Sequence, residues 1–326
     1  MLVALPAHPS APVGMTLPTE VNVISMRMAL MNRRQFGGRL AGGLAGLAVA
    51  ASSRSVLAAP ESAARPFKLS VMLWTLRSKY TAEQAIDLVA GAGYDGFELV
   101  DEDKKWSAAD VRRIRARMTK LGVVCDAMSG IDAGFAEQGA AHRLASELTA
   151  RMAQAERMDC RRIILLSGKR DASMPRDKQH AVCVANLQRA GDVAAKGGFK
   201  LLLEPIDALE NPPIYLTHVE EAFEIVGAVN SPSVQVLYDF YHQQRGLPQG
   251  GGVAPLLAPL HGNVNLLGLV HVANVPGRHA PNHGEINYLP VYKGLEQNGY
   301  HGWMAMEFLP VGDAKTELRQ AATEIH

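Results

Sequence analysis

The chain has 326 residues, of which 48% are hydrophobic and 20% charged, and its formal net charge at pH 7 is +1. This near-neutral balance gives no electrostatic basis for a polyanionic partner, so we expect no nucleic acid to bind. Cys125, Cys160 and Cys183 are too few and too scattered for a disulfide framework, which predicts buried free thiols.

The N-terminal region has the pattern of an export signal rather than of a folded domain. Arg33 and Arg34 form a twin-arginine pair, residues 37–51 supply a short glycine- and alanine-rich apolar stretch, and small residues follow near Ala58. The apolar stretch is shorter than the ~20 residues that a membrane-spanning helix needs. A cleaved signal is therefore favoured over a membrane anchor.

We interpret residues 31–59 as a cleavable signal peptide of the twin-arginine type. Residues 1–30 precede a plausible start at Met31 and are interpreted as an extension that need not be translated. These features predict a periplasmic or otherwise exported protein. They also predict the twin-arginine export machinery as a partner and no stable membrane span after processing.

Residues 66–326 predict one α/β domain, a single (β/α)8 TIM barrel. Short apolar segments alternate with helical segments, without a Pro/Gly/Ser-rich linker, and the length is typical of such a barrel. Helices are predicted at 81–92, with Thr81 as N-cap, at 107–121 and at 288–297. The predicted strands are 68–74, 96–100, 123–128, 162–167, 199–204, 234–239, 267–273 and 303–308.

Four potential metal ligands end successive apolar segments in the second half of the chain. They are Glu204, Asp239, His271 and Glu307, which lie 35, 32 and 36 residues apart. Each step fits one strand plus a crossover helix, and the carboxyl ends of parallel barrel strands meet on one face. Three carboxylates and one imidazole suit Mg²⁺ or Mn²⁺. The spacing therefore predicts a divalent-metal site at the barrel mouth, which a doubly wound open sheet would not explain.

The segments around these four residues resemble the hydroxypyruvate isomerase branch of the xylose isomerase-like TIM barrel superfamily. The likeness covers most of residues 68–310, and its most specific part is VPGRH-x-P-x-x-GEINY. The other segments that carry it are FKLLLEPIDALENPPIYL, VQVLYDFYHQQ and GYHGWMAMEFLP. The resemblance implies a metal-dependent isomerase that interconverts hydroxypyruvate and tartronate semialdehyde, or a similar small hydroxy-carbonyl substrate, through an enediolate.

The same resemblance implies roles for individual residues. Glu204 and Glu307 would be catalytic as well as metal-ligating, one removing a proton from the substrate and the other returning it. His242 would bond a substrate oxygen, and Arg278 would hold a substrate carboxylate. A capping role for His242 and a surface salt bridge for Arg278 are the structural alternatives.

The sequence departs from the family pattern at three places, one of which is the export signal, since the better known hydroxypyruvate isomerases are cytoplasmic. His271 stands where many hydroxypyruvate isomerases have glutamine, which permits a 3-epimerase of ketoses, and Asp207 stands where asparagine is expected. A non-catalytic exported carbohydrate-binding barrel is the alternative from a different class. Trp74 and Glu98, at the ends of the first two predicted strands, are expected to serve mainly in packing.

Overall fold

Eight strands form the core of the protein in a computed structural model that describes residues 65–247 and 252–325. The strands are short and almost wholly buried, as expected where one face meets the barrel interior and the other meets helices. They are β1 (Lys68–Met72), β2 (Gly96–Leu99), β3 (Val124–Met128), β4 (Arg162–Leu166), β5 (Lys200–Glu204), β6 (Val234–Asp239), β7 (Leu267–Val272) and β8 (Trp303–Met306).

The strands close into a parallel barrel in the order β1 to β8. Closure is made by β1 and β8, where Val71 lies in register with Met306. Between β6 and β7, Asp239 lies in register with His271, which puts these two side chains at the same height in the barrel. The expected (β/α)8 fold is confirmed.

Helices follow the strands and cover the barrel. The serine or threonine that precedes each of the first two helices, Thr81 and Ser107, forms a capping box and so fixes where the helix begins. The helices are α1 (Ala82–Gly91), α2 (Ala108–Leu121), α3 (Ala141–Arg157), α4 (Arg176–Lys196), α5 (Val219–Val229), α6 (Phe240–Gly246), α7 (Ala254–Leu257), α8 (Tyr288–Gln297) and α9 (Ala314–Thr323).

Two apolar clusters stabilise this arrangement. The larger one fills the space between the strands and the surrounding helices. The smaller one takes one buried residue from each of seven strands, so the barrel interior is packed rather than open. Its members are Met72, Ala127, Ile164, Leu202, Leu237, Leu269 and Trp303.

Most of the predicted elements are confirmed, and the differences lie at strand ends. The first strand ends at Met72 because residues Leu73–Thr75 form a 3-10 turn, and the last strand ends at Met306 rather than at residue 308. The three cysteines are buried and free, as expected.

The predicted signal peptide, residues 31–59, and the extension before it lie outside the described residues. Among residues 65–247 and 252–325, no helix has the length and apolar character needed to cross a membrane.

Candidate active site

The four predicted ligands meet at the mouth formed by the carboxyl ends of the strands. Glu204 and Asp239 are the last residues of β5 and β6, His271 is the penultimate residue of β7, and Glu307 directly follows β8. One ligand atom from each of the four lies within 4.8 Å of every other, and all four residues are buried. The predicted convergence of side chains from four successive strands is therefore confirmed.

His271 connects the four predicted ligands (the ligand cluster) to Glu98 on strand β2. Its Nδ1 lies 2.8 Å from Glu307 Oε2 and 3.7 Å from Glu204 Oε1. Its Nε2 lies 3.0 Å from Oε2 of Glu98 on β2. Glu98 was expected to be a packing residue, and the structure instead gives it a direct polar contact with a predicted ligand.

Trp74 makes a second contact of this kind. From the 3-10 turn after β1, its indole Nε1 donates a hydrogen bond of 2.7 Å to Glu307 Oε1. His271 and Trp74 therefore each fix one oxygen of the same carboxylate. The sequence offered no signal for the contact of Glu98 with His271 or of Trp74 with Glu307, because each joins residues more than 170 positions apart.

Arg278, in the loop after β7, lies inside the site rather than in a surface salt bridge. Its Nη2 is 2.7 Å from Glu307 Oε2 and 3.3 Å from Asp239 Oδ2. Its Nη1 is 3.1 Å from Glu210 Oε1, and the guanidinium packs over the ring of Tyr241, with its central carbon 4.7 Å from the ring centroid. Arg278 is thereby held as a buried cation at the edge of the ligand cluster.

His242 is also buried, and Asp207 fixes its orientation. Asp207 Oδ2 lies 2.7 Å from His242 Nδ1 and accepts a 2.9 Å hydrogen bond from Arg245 Nε. The other ring nitrogen, Nε2, is 3.6 Å from Asp239 Oδ2 and 3.4 Å from Arg278 Nη1. Asp207, which stands where the family pattern has asparagine, thus places a carboxylate against Nδ1 of His242, the residue that the resemblance assigns to substrate binding.

The two predicted catalytic glutamates differ in their electrostatic surroundings. Burial, and then the nearby charge of Glu307, raises the pKa of Glu204 to about 8. Burial would also raise the pKa of Glu307, but Arg278 and His271 outweigh it and lower that pKa. Two carboxyl groups whose pKa values are pushed apart can hold one proton between them, which is the arrangement that acid–base chemistry requires.

The acidic residues of the site also favour the positively charged forms of its two histidines, His242 and His271. Burial favours the neutral imidazole of His242, but the charge of Asp239 and the hydrogen bond that Nδ1 donates to Asp207 outweigh it and raise the pKa of His242 to about 9. Glu98 and Glu307 likewise outweigh burial and raise the pKa of His271.

The donor set fits a divalent cation. Placing three carboxylates, those of Glu204, Asp239 and Glu307, in a buried cluster is unfavourable unless positive charge compensates them. No residue in the described ranges donates a hydrogen bond to the Glu204 carboxylate, so its oxygens are available to an ion. Three hard oxygen donors with one imidazole nitrogen match the preferences of Mg²⁺ and Mn²⁺.

A cavity of about 220 Å³ opens above the cluster. It is smaller than the ~300–1,000 Å³ pockets that hold drug-sized ligands, which suits a small molecule. Its wall includes Trp74, Glu204, His242, Arg278 and Glu307. An open cleft of about 660 Å³ between α4, α5 and α6 is larger, but it contains none of the predicted site residues.

The fold and this mouth define a (β/α)8 barrel with a buried cluster of acidic residues and histidine at its carboxyl end. Residues 86–324 match the xylose isomerase-like TIM barrel family, and the chain belongs to that family. The resemblance stated from the sequence is therefore confirmed at the level of the family.

Curated relatives are isomerases by name. Hydroxypyruvate isomerase from Escherichia coli is 30% identical over 159 residues, covering 49% of this chain and 59% of that protein. The chain thus spans less than two thirds of this relative's length. The 2-oxo-tetronate isomerase from Cupriavidus necator is 27% identical over 243 residues, covering 72% of this chain and 91% of that protein.

Solved structures share the fold. A protein from Brucella melitensis described as an AP endonuclease of family 2 superposes with a TM-score of 0.69 at 25% identity, covering 78% of this chain and 98% of that one. D-psicose 3-epimerase from Clostridium cellulolyticum H10 superposes with a TM-score of 0.65, covering 79% of this chain and 96% of that one. At 16% identity, the second likeness concerns the fold alone.

Proposed function

We propose that the protein is a metal-dependent isomerase of a small hydroxy-carbonyl acid, interconverting hydroxypyruvate and tartronate semialdehyde or a close analogue. The observation that carries the proposal is the buried convergence of Glu204, Asp239, His271 and Glu307 at one barrel mouth. Relatives named hydroxypyruvate isomerase and 2-oxo-tetronate isomerase support the reaction class. We infer Mg²⁺ or Mn²⁺ as the cofactor.

The reaction requires one proton to move between adjacent carbons. A C–H bond of the hydroxymethyl carbon breaks, an enediolate forms, and a proton is returned to the neighbouring carbon. The hydroxyl proton of the first carbon passes to the oxygen of the second, so the first carbon is oxidised to an aldehyde as the second is reduced to an alcohol. We assign proton removal and return to Glu204 and Glu307, which extend from the non-adjacent strands β5 and β8 and line the same cavity. When bound, a divalent ion supplies positive charge that stabilises the enediolate oxygens.

His242 and Arg278 give the cavity a wall that suits an anionic substrate. Their Nε2 and Nη1 atoms lie 3.4 Å apart, and both residues line the cavity. Glu307 and Asp239 occupy Nε and Nη2 of Arg278. Nη1 faces the half-exposed Glu210, so it is the nitrogen that a substrate carboxylate can reach by replacing that side chain. We assign the substrate carboxylate to Arg278 and a substrate oxygen to His242.

A ketose 3-epimerase is the second candidate, and one observation favours it. The residue on β7 that reaches the ligand cluster is a histidine, His271, rather than the glutamine of many hydroxypyruvate isomerases. Epimerisation would use the same pair of glutamates for proton removal and return, so the two candidates differ in substrate rather than in catalytic groups.

Proton exchange with D₂O, followed by NMR, separates these functions. The protein would be incubated with hydroxypyruvate or with ketohexoses, in the presence of Mg²⁺ or Mn²⁺, beside protein-free samples. We expect exchange of the hydroxymethyl protons of hydroxypyruvate together with formation of an aldehyde. Exchange at C3 of a ketohexose would favour the epimerase. Substrate binding without any carbon-bound exchange would favour a non-catalytic binding barrel.

We also propose export through the twin-arginine route, which carries folded proteins and would allow the metal to be loaded first. Replacing Arg33 and Arg34 together by lysine should leave the precursor in the cytoplasm, measured by fractionation and immunoblotting. A periplasmic yield equal to that of the unaltered protein would contradict this route.

A further inference from the structure

Glu98 is a buried acid that the proposed reaction does not use. It lies in β2 in the sequence Gly-Phe-Glu-Leu, and it is 0% exposed. Its Oε2 is 3.0 Å from His271 Nε2, and its Oε1 has no hydrogen-bond partner in the described part of the chain. The side chain therefore has one polar contact, and that contact is with a predicted metal ligand.

Stability does not account for an acid at this position. A buried carboxyl group with an unsatisfied oxygen costs free energy, and well-packed apolar residues in place of a buried ion pair are often neutral or stabilising. Met72, which lies in register with Glu98 on the neighbouring strand, belongs to the smaller apolar cluster inside the barrel, so an apolar side chain would fit at this position. The contact with His271 therefore points to a role in the site.

The two nitrogens of His271 face different groups. Nδ1 faces the ligand cluster, 2.8 Å from Glu307 Oε2, whereas Nε2 faces Glu98. A neutral imidazole carries one proton, and the nitrogen without it supplies the lone pair that binds a metal. Both neighbours are carboxylate oxygens that can accept a hydrogen bond, but only Nδ1 faces the ligand cluster. An ion in the cluster would take the lone pair of Nδ1 and leave the proton on Nε2, where Glu98 can accept it.

We propose that Glu98 is a positioning residue that holds the proton of His271 on Nε2 and so directs Nδ1 to the metal. This inference rests on the metal site of the proposed function. The ring of His271 is 0% exposed, and it is held between Glu98 on one side and Glu307 on the other. Its orientation is thus set before an ion binds, which reduces the entropy lost on binding.

Nitrogen NMR of the wild-type protein tests the tautomer directly. The protein would be labelled with ¹⁵N-histidine and loaded with Zn²⁺, a diamagnetic substitute, and the His271 signals would be identified by their loss in His271→Gln. We expect a protonated Nε2 and a metal-shifted Nδ1. A protonated Nδ1, or a metal-shifted Nε2, would overturn the inference without any substitution at Glu98.

Two variants test the contribution of Glu98 to metal binding. Glu98→Gln keeps the shape and an acceptor oxygen but removes the charge, and Glu98→Ala removes the contact. Partners of metal ligands typically contribute 10–100-fold to metal affinity, so Mn²⁺ should bind roughly 10-fold more weakly to the first and up to ~100-fold more weakly to the second. The melting temperature of Glu98→Gln without added metal should be equal to the wild-type value or higher, which a structural role would not produce.

Asp103→Asn is the matched control. Asp103 is also a buried acid with an unsatisfied oxygen, and its partner is Arg151, 2.8 Å away, which contacts no predicted ligand. This variant should melt at a lower temperature and bind Mn²⁺ as tightly as the wild type. Mn²⁺ affinity would be measured by titration with detection of the free ion by electron paramagnetic resonance.

The outcomes separate this inference from the proposed function. If the wild type binds Mn²⁺ and isomerises its substrate while Glu98→Ala binds Mn²⁺ as tightly, the role of Glu98 is wrong and the function stands. If affinity falls as expected but the wild type exchanges no substrate proton, the positioning role stands and the isomerase is wrong. If the wild type binds no divalent ion, both are wrong.

Discussion

The two halves of the barrel contribute differently to its mouth. In the second half, each strand from β5 to β8 ends in or beside a ligand of the cluster. In the first half, β1 and β2 supply Trp74 and Glu98, which contact the cluster through Glu307 and His271. The first half therefore contacts, through single hydrogen bonds, the residues that the second half contributes to the cluster.

This difference has a physical origin in how each contribution depends on the fold. Ligands that recur at one per strand need only a parallel barrel to bring them together. The contacts from Trp74 and Glu98 also need closure between β1 and β8 and a packed interior of the right width. A small change in the width of the barrel should therefore break the contacts of Trp74 and Glu98 before it separates the four residues of the ligand cluster.

The largest expected effect belongs to the second half, in Glu307→Gln. The amide oxygen can still bind an ion, but the side chain can no longer accept a proton, so turnover should fall by roughly 10²-fold or more while substrate still binds. Steady-state kinetics and a binding titration would measure this. Glu285→Gln, at an exposed glutamate in the loop after β7, is the control and should keep wild-type turnover. Unchanged turnover in Glu307→Gln would assign proton transfer elsewhere.

Binding of a divalent ion to the ligand cluster, in the second half of the barrel, should stabilise the folded protein. An ion that binds only the folded state adds about 2.7 kcal/mol to the free energy of unfolding when its concentration is 100 times Kd. Urea unfolding with and without Mn²⁺ would measure the increase, and Glu204→Ala should reduce it. An equal increase in Glu204→Ala would mean that the stabilising ion binds at another place.

A smaller effect is expected from the first half, in Trp74→Phe. Phenylalanine keeps most of the ring but loses the donor to Glu307 Oε1, and a hydrogen bond to a charged group contributes about 1.5–3 kcal/mol. Mn²⁺ affinity should fall by roughly 10-fold, within the range for partners of metal ligands. Trp106→Phe, outside the mouth, should bind Mn²⁺ as the wild type does. Equal affinities of the two variants would remove Trp74 from the orienting group.

The smallest effect on metal binding should come from a first-half member of the smaller apolar cluster, which fills the barrel interior. Ile164→Val removes one buried methyl group from β4 and should lower the free energy of unfolding by about 0.5–1.5 kcal/mol. Mn²⁺ affinity should not change, because Ile164 contributes packing and no polar contact. A loss of affinity in Ile164→Val would show that orientation of the ligands depends on packing below the mouth as well.

The sequence was sufficient to predict the fold and the four residues that meet at its mouth. Glu204, Asp239, His271 and Glu307 could be identified because strand ends and crossover lengths follow from local apolar patterning, and parallel topology then brings the strand ends to one face. The strand bounds were less well predicted at β1 and β8. There the chain turns away from the barrel earlier than the apolar pattern suggests.

The supporting contacts could not be predicted, because their partners are distant in sequence. Glu98 and Trp74 stand among apolar residues, where packing was the reasonable expectation, and only the closed barrel brings them to His271 and Glu307. Asp207 was noted as a departure from a pattern, but its contact with His242 depends on the loop between β5 and α5.

Arg278 ties the loop after β7 to the segment after β8. Its Nε donates a 2.9 Å hydrogen bond to the carbonyl oxygen of Glu307, and its own carbonyl oxygen accepts one of 2.7 Å from Leu309 N. Its backbone holds the left-handed conformation, with φ of 57°. Loop and ligand segment therefore form one mechanical unit. Anyone who redesigns this barrel for another substrate by exchanging the β7 loop would displace Glu307 as well, so the two segments must be exchanged together.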